Sequence, residues 1–597
     1  MPLVAALVYL FLYAPLVVLV VFSFNSGRLA SSWEGFTLAW YAQALADERL
    51  QASLRNSLAV AVATTAVSTA IGTAAAMGLR RPGRGQAGWD ALLAIPMLVP
   101  EVVLGASLVL LFAAVGLRLG MATVILAHVG FSISYATVVV RARVAGLDPA
   151  LEDAAMDLGA SPLRAFFAVT LPALAPGILA AALLVFALSI DDYVVTSFVA
   201  GVGATTLPVH IYSMVKSGVS PAINAVSTLL LVSTSLLLFA AWALERGARV
   251  RAALAPAVLA IAILAAPFAL GPRHAGAADR VLNLYIWSNY IAPETLRKFE
   301  QRHGVRVNLD LYDTNEAMLA KVQSGNVDYD VLCPSSYPIQ VLIAQGLLRP
   351  LDLTALPHLA NVDPVFLDRA YDRGNRFSAP YFWGTAGIAY RRSKVGAVDS
   401  WAALWDPRYR GRILMLDDAR ETFGAALKRL GASLNTTDPI LLRRAQSLLL
   451  EQKPLVRAYN SSNYEDVLLS GDVWLAQGWN GQFARAIAQD PDIAYVIPKE
   501  GSSLFVDSLV IPIGAPHPEL AHAFIDFTLE AEIAAEICAT MRYSTPNAAG
   551  ARLLPPALRA NPAIFPPPDV LARAELMEEV GEATVLYDRL WTEVKSK

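Results

Sequence analysis

The chain has 597 residues, 55% hydrophobic and 16% charged, with a formal net charge of −3 and a mean hydropathy of +0.47. These values exclude a single soluble globular domain, and a near-neutral balance without Lys/Arg-rich runs gives no electrostatic footing for nucleic acid. The two cysteines, Cys333 and Cys538, lack metal-ligand spacing and read as small buried hydrophobes; a disulfide between them stays open if that half faces an oxidising compartment.

Apolar stretches of about 20 residues, the length a bilayer core requires, fall near 3–23, 57–79, 91–115, 121–140, 174–200, 224–243 and 252–271, predicting about seven crossings. Arg80, Arg81 and Arg84 follow the second stretch, Arg141 and Arg143 the fourth, and Arg246, Arg249 and Arg251 the sixth. Excess positive charge marks the cytoplasmic side, so 24–56, with Trp33, Trp40 and Tyr41, and 201–223 lie outside. A seventh crossing that starts inside delivers the remainder outside. The same run, RGARVR followed by apolar residues and HAGAAD, also reads as a signal peptide with a cleavage point after Ala277. Tether and cleavage both remain open.

Between the fourth and fifth stretches, on the Arg-rich side, lies DPALEDAAMDLGASPLRAFFAVTLPALAPGI. Helix formers from Ala150 to Leu158, Gly159 as a left-handed stop, and Ser161-Pro162 as cap and first turn predict a short helix, a tight turn and a second short helix. The bland reading is an amphipathic surface helix that ends in Gly. Asp191 and Asp192 fall inside the fifth apolar stretch, where ionisable groups are costly and face a partner or a watery path. They are candidates for the translocation path of a cation; alternatively the span ends earlier and they form a helix-terminal pair.

Asp153-Ala154-Ala155, Gly159, Leu171-Pro172 and Pro176 resemble the coupling loop of ABC importer permeases, with Asp153 where that family usually has Glu. FNSGR at 24–28, SIDDYVVTSF at 189–198 and LPVHIYSMVKSGVSPAINA at 207–225 extend the likeness over most of 5–245, toward the second permease subunit of spermidine/putrescine importers. The resemblance implies an all-α polytopic membrane domain of the type I permease class, over 1–246. It also implies a loop that docks on cytoplasmic ATPase subunits and a second permease subunit completing the pore.

After a linker at 247–280 the pattern changes. VLNLYIW, a helix through ETLRKFEQRHG, VRVNLDLY, a helix near NEAMLAKVQSG and YDVLCPS follow a βαβ grammar that predicts parallel sheets with helices on both faces. The segments 378–393 and 506–516 are the expected crossings between two lobes of a clamp. No phosphate loop, nucleophile elbow or metal-ligand His pair occurs, so the sequence implies no catalysis, cofactor or metal.

Aromatics interleave with carboxylates at the ends of expected strands, a combination that suits a slender organic polycation. YIWSNYIAPET (285–295), CPSSY (333–337), LDDARETF (416–423), QGWNG (477–481), PKEGSSLFVDSLVIP (498–512) and YSTPN (543–547) make 281–597 resemble the periplasmic spermidine/putrescine-binding receptors. The likeness implies an α/β two-lobed binding protein of the type II clamp class. It places Trp287, Ser288, Asn289, Tyr290, Ser335 and Tyr337 along the site, Asp418, Glu421 and Asp507 against amines, and Trp479, Phe505 and Tyr543 as walls. Asn289 stands where relatives carry an acidic residue, Phe505 where the spermidine receptor has Trp, and Met577 where a polar side chain is expected, which makes a diamine as fitting as spermidine.

Structural readings compete for several of these positions. Asp418 with Glu421 is also a capping box, and Trp287 and Trp479 also read as core aromatics. Asp507, between LF and LVIP, needs a partner or ligand if buried. The expectation is a polyamine importer subunit fused to its receptor, in the bacterial inner membrane with the receptor in the periplasm. A membrane-anchored amine sensor without transport, and an importer for another organic cation or amino-acid derivative, are the alternatives.

Overall fold

The computed structural model describes residues 2–27, 33–80, 85–148, 150–216, 221–245, 280–288, 290–312, 315–325 and 328–596. The expected seventh span, Ala277, Arg81, Arg84, the Arg246–Arg251 cluster and Asn289 lie outside them. The described residues form a helical unit and an α/β unit.

The helical unit contains α1 (Pro2–Phe22), α2 (Ala39–Ala46), α3 (Glu48–Gly78), α4 (Gln86–Leu98), α5 (Glu101–Ala114), α6 (Met121–Val144), α7 (Ala150–Asp157), α8 (Pro162–Ala165), α9 (Leu171–Asp191), α10 (Val194–Val199), α11 (Leu207–Lys216) and α12 (Pro221–Glu245). Asp47 starts α3 by accepting from the N–H groups of Arg49 and Leu50 at 2.9 and 3.1 Å, the partners an N-cap carboxylate supplies for orphan donors. Small residues then bring α3 against α6: a Cβ at Gly72 would lie 2.6 Å from that of Ala136. Such close approach replaces the hydrophobic drive that lipid cannot supply. Among the described residues, α3, α6 and the run Pro162–Asp191 are each long and apolar enough to cross a membrane.

Two expected spans are broken. The third, 91–115, is α4 and α5 bent by 104°. Val99 is extended (φ −70°, ψ 130°) because the following Pro100 disfavours helical geometry in the residue before it. An ion pair joins Asp90 at the start of α4 to Arg141 near the end of α6, while α5 reaches the start of α6 through residues 115–120 alone. The bent pair therefore runs from one end of α6 to the other, and with it the described residues hold up to four candidate crossings, against the seven expected of the whole chain. The fifth, 174–200, stops at Asp191, and α10 is a separate short helix.

The cytoplasmic loop forms as its residues require. Helix α7 ends at Gly159 (φ +92°) with Ala160 N–H donating to Ala155 O at 3.1 Å, a Schellman closure. Ser161 caps α8 with Pro162 in its first turn. Unforeseen is the π-turn over Phe166–Thr170, where Leu171 N–H donates to Phe166 O. Pro172 has no N–H to continue the ordinary ladder, so the backbone widens there.

In the α/β unit, β1 (Val281–Trp287), β2 (Arg306–Tyr312) and β3 (Val331–Leu332) pair in parallel with helices between them, as the βαβ grammar predicts. The whole sheet is mixed, however: β9 (Ser503–Val510) runs antiparallel to β3 and to β4 (Ser378–Arg391). The first half of β4 pairs with β9, and its second half pairs with β7 (Leu475–Trp479) and β8 (Ile493–Val496). This strand is thus the first passage between lobes, as expected. The return falls between β8 and β9, upstream of the expected 506–516, because all of β9 pairs on the first-lobe side. A third passage, missed by the sequence, follows β10 (Glu575–Leu576), which pairs with Ser503–Leu504; the closing helix Ala583–Ser596 packs Tyr587, Leu590 and Trp591 into the second lobe. The first lobe is built on Leu284, Phe299, Phe382, Leu509 and Phe524, the second on Ile388, Trp401, Phe423 and Leu449. Cys333 and Cys538 are free and buried.

Candidate ligand site of the clamp

Asp507 lies in the middle of β9 and is 2% exposed. The hydroxyl of Tyr290 donates to its Oδ2 at 2.5 Å, and Ser335 faces it across a β-bridge. Oδ1, also buried, has no hydrogen-bond partner among the described residues. Burial raises this carboxyl to about 6 against the opposing pull of Ser335 and Tyr290. Around it stand aromatic rings: Tyr290 packs on Phe382 and Tyr543 with centroids 5.1 and 5.0 Å away, and Trp287 lies 4.6 Å from Tyr312. The Trp287 indole N–H is buried without an acceptor among the described residues. Ser288 and Tyr337 are half-buried nearby in the chain, Ser288 N–H donating to Tyr312 O at 3.4 Å.

The second cluster belongs to the other lobe. Asp418 caps the helix Ala419–Arg429 by accepting from Glu421 N–H at 2.9 Å. Glu421 does not complete the capping box. Its side chain, 6% exposed, accepts instead from the Trp479 indole at 3.0 Å and the Ser503 hydroxyl at 2.8 Å. Burial, and then the neighbouring charge of Asp418, push its carboxyl up to about 7. Phe505 closes over Gly384, where an added Cβ would lie 2.4 Å from the ring and 2.2 Å from Asn480 Oδ1. Met577 is buried and donates its N–H to Leu504 O at 3.0 Å.

The clusters are joined through β9. Ser503, which holds Glu421, and Asp507 are four residues apart on one strand, so they share a face at a Cα spacing of about 13 Å. Behind them, Gln482 Oε1 accepts from both Tyr464 and Tyr543 (3.0 Å for Tyr543). Sequence reasoning missed Ser503, Gln482, Tyr312 and Phe382. For Ser503 a signal existed: in an alternating strand it shares the face of Asp507.

In the helical unit Asp191 is exposed at the end of α9, whereas Asp192 bonds the N–H and hydroxyl of Thr196 at 2.8 and 2.7 Å and so starts α10. His128 of α6, fully buried, faces Asp192 Oδ2 at 3.2 Å. It also bonds the Ser189 and Thr196 hydroxyls at 2.8 and 2.9 Å. The pair is therefore helix-terminal, and His128 is a partner the sequence reading did not single out. Asp153, Ala154, Ala155 and Gly159 lie on and just after α7, and Leu171, Pro172 and Pro176 on the first turns of α9.

A two-lobed α/β clamp with an acid from each lobe, carried on a chain with a polytopic helical unit and a short helical hairpin between α6 and α9, defines a solute receptor joined to a transport permease. The receptor half of the chain belongs to the bacterial extracellular solute-binding proteins, whose model it matches over 294–566, and residues 68–249 match the binding-protein-dependent transport system inner membrane component. Its receptor half is similar to the spermidine/putrescine-binding periplasmic protein 1 of Haemophilus influenzae, 35% identical over 324 residues, 54% of this chain and 90% of that protein. It is likewise similar to the putrescine/cadaverine-binding protein of Pseudomonas aeruginosa, 36% identical over 348 residues, 56% and 98% of the two chains. Among solved structures, the substrate-binding protein of a spermidine/putrescine ABC transporter from Streptococcus pneumoniae aligns with a TM-score of 0.50 at 33% identity, covering 53% of this chain and 99% of that one.

The chain is thus an ABC importer permease fused to a solute-binding protein, set in the inner membrane with the receptor outside. Neither family is catalytic, and a binding-protein-dependent permease works with ATPase partners.

Proposed function

We propose that this chain imports polyamines, its own clamp capturing the amine outside and its membrane unit forming half of a pore with a second permease subunit. The observation that carries the reading is the pair of buried carboxylates, Asp507 and Glu421, one from each lobe and both tied to β9. A buried acid with an oxygen left unpaired costs free energy until a donor arrives, and an ammonium is the donor that also restores charge balance. Aromatic rings beside these acids suit the methylenes and charge of a slender cation. The named relatives, which carry spermidine, putrescine or cadaverine in their titles, support the same class. Phe505 and the apolar Met577 favour a diamine as much as a triamine.

Within the site, Trp287, Ser288, Asn289, Tyr290, Ser335 and Tyr337 would receive one ammonium with Asp507. Asp418, Glu421 and Trp479 would receive the other, with Phe505 and Tyr543 along the methylenes. Domain limits of 1–246, 247–280 and 281–597 accompany this reading, as does a cation path past the exposed Asp191, with Asp192 already held by His128 and Thr196. The coupling loop, Asp153 to Pro176, would engage the ATPase subunits. A receptor held on the permease chain would work at an effective concentration of roughly millimolar for a short flexible link.

The test is calorimetric titration of the full chain in lipid nanodiscs with putrescine, cadaverine and spermidine, repeated with Asp507→Ala. Removing one member of a buried charge pair costs about 2–5 kcal/mol, so the variant should lose at least about 30-fold in affinity. No heat with any amine sinks the substrate class, and an unchanged affinity in the variant sinks the role of Asp507.

A further inference from the structure

Resting on the permease reading above, we infer that the ion pair between Arg80 and Glu152 is a strut that carries ATPase-driven movement of α7 directly into α3. Arg80 is therefore a positioning residue for energy coupling.

Helix α7 buries none of its residues. Along the chain it leads through Gly159 into α8, and from there to α9 only across the π-turn Phe166–Thr170. Helix α7 also packs on that π-turn, whose widened backbone and poorer hydrogen bonds make it a compliant joint. The ion pair bypasses it. Arg80, just past the C-terminus of α3, places Nη1 3.0 Å from Glu152 Oε2 on α7, with the two side chains only 22% and 27% exposed. Helix α3 in turn packs closely against both α6 and α9, with Gly72 seated on Ala136. Movement entering at Glu152 therefore arrives at the long helix about which the other two are packed.

Two further arginines stiffen the same end. Arg141 pairs with Asp90 of α4, and Arg143 donates to Ala173 O at 3.1 Å while its stem fills the space beside Gly177. These join α4, α6 and α9, but neither touches α7. Arg80 alone among the three spans from the bundle to the hairpin. Its position is also on the side the positive-inside pattern marks as cytoplasmic, the side on which an ATPase sits.

A partly exposed surface ion pair contributes little to stability, about 0–1 kcal/mol, which separates the two roles by experiment. The full chain is expressed with its cognate second permease and ATPase and reconstituted in proteoliposomes, and ATP hydrolysis and uptake of labelled putrescine and spermidine are measured together. Arg80→Glu should leave membrane abundance, melting temperature and ATPase co-purification unchanged, and Glu152→Arg, which lies on the docking helix α7, should leave membrane abundance and melting temperature unchanged. The amine imported per ATP hydrolysed should fall at least tenfold. The double variant Arg80→Glu with Glu152→Arg should restore that ratio to within about threefold, and the milder Arg80→Lys should keep most of it. Single variants with an unaltered ratio, or a double variant no better than either single, overturn the strut. A wild-type chain that neither retains the ATPase nor imports amine overturns the permease reading itself, and the strut with it.

Discussion

Proton competition follows from the geometry of the clamp. With carboxyls at about 6 for Asp507 and about 7 for Glu421, the two acids are about 97% and 76% ionised at pH 7.5 but only about 24% and 3% at pH 5.5. A ligand that needs both charges then meets a competent site about 100-fold less often, so its affinity should fall by about that factor across the two pH units. The amines themselves stay protonated throughout, since a primary ammonium titrates near 10. Binding must also expel protons: at pH 6.5 the free site holds about one proton between the two acids, and the complex holds none. The assay is calorimetry of the full chain with putrescine in pairs of buffers that differ in ionisation enthalpy, at pH 5.5, 6.5 and 7.5. A flat affinity across this range, with buffer-independent heats at pH 6.5, would refute the claim that desolvated carboxylates hold the amine.

The same shifts act on stability with a definite sign. Both folded-state values lie above the unfolded ones, so their contribution is fully present below about pH 4 and is lost as pH rises through about 6 to 7, at roughly 3 kcal/mol per acid. Glu421→Gln should therefore raise the melting temperature of the ligand-free receptor at pH 7.5 while weakening amine binding at least tenfold; scanning fluorimetry with and without putrescine checks both. Gly159→Val, at a position with φ +92° and open space around it, adds only backbone strain of about 1–2 kcal/mol. It should lower ATPase co-purification without unfolding the bundle. His128→Leu removes three contacts at the α9–α10 break, those to Asp192, Ser189 and Thr196. At about 0.6–1.7 kcal/mol per buried membrane hydrogen bond, it should lower detergent thermal stability measurably, and an unchanged melting curve would count against the network. Gly384→Ala must move Phe505 or Asn480, so it should change amine affinity in titration while leaving far-ultraviolet dichroism as in wild type.

Local chemistry was legible wherever one residue type decides a backbone conformation. Gly159, Ser161 and Pro162 announce the helical hairpin, and alternating apolar runs announce β1 to β3. The breaks at Val99–Pro100 and at Asp192 were not read from hydropathy, because an apolar run stays apolar whether its backbone is straight or bent. Pro100 and the acid pair were the signals available. The mixed sheet and the third interlobe passage depend on pairings between segments far apart in sequence, such as Ser503–Leu504 with Glu575–Leu576, and no local periodicity encodes them. In the site, Asp507 was found because a lone charge in a strand demands a partner. Gln482 was passed over because it is unremarked until the residues it bonds are known, whereas Ser503 was betrayed only by its even spacing from Asp507 along the strand. Glu421 shows the limit of local spacing: its distance from Asp418 also suits a capping box, yet tertiary contacts with Trp479 and Ser503 capture the side chain instead.

The central claim is that one chain supplies both capture and passage of a polyamine. It is tested most directly by ATP-dependent accumulation of labelled putrescine and spermidine in cells that lack other polyamine uptake and express this chain with its ATPase and second permease, but no separate receptor. Accumulation that is abolished by Asp507→Ala is the predicted result. No accumulation of either amine, or accumulation that Asp507→Ala leaves intact, would contradict it.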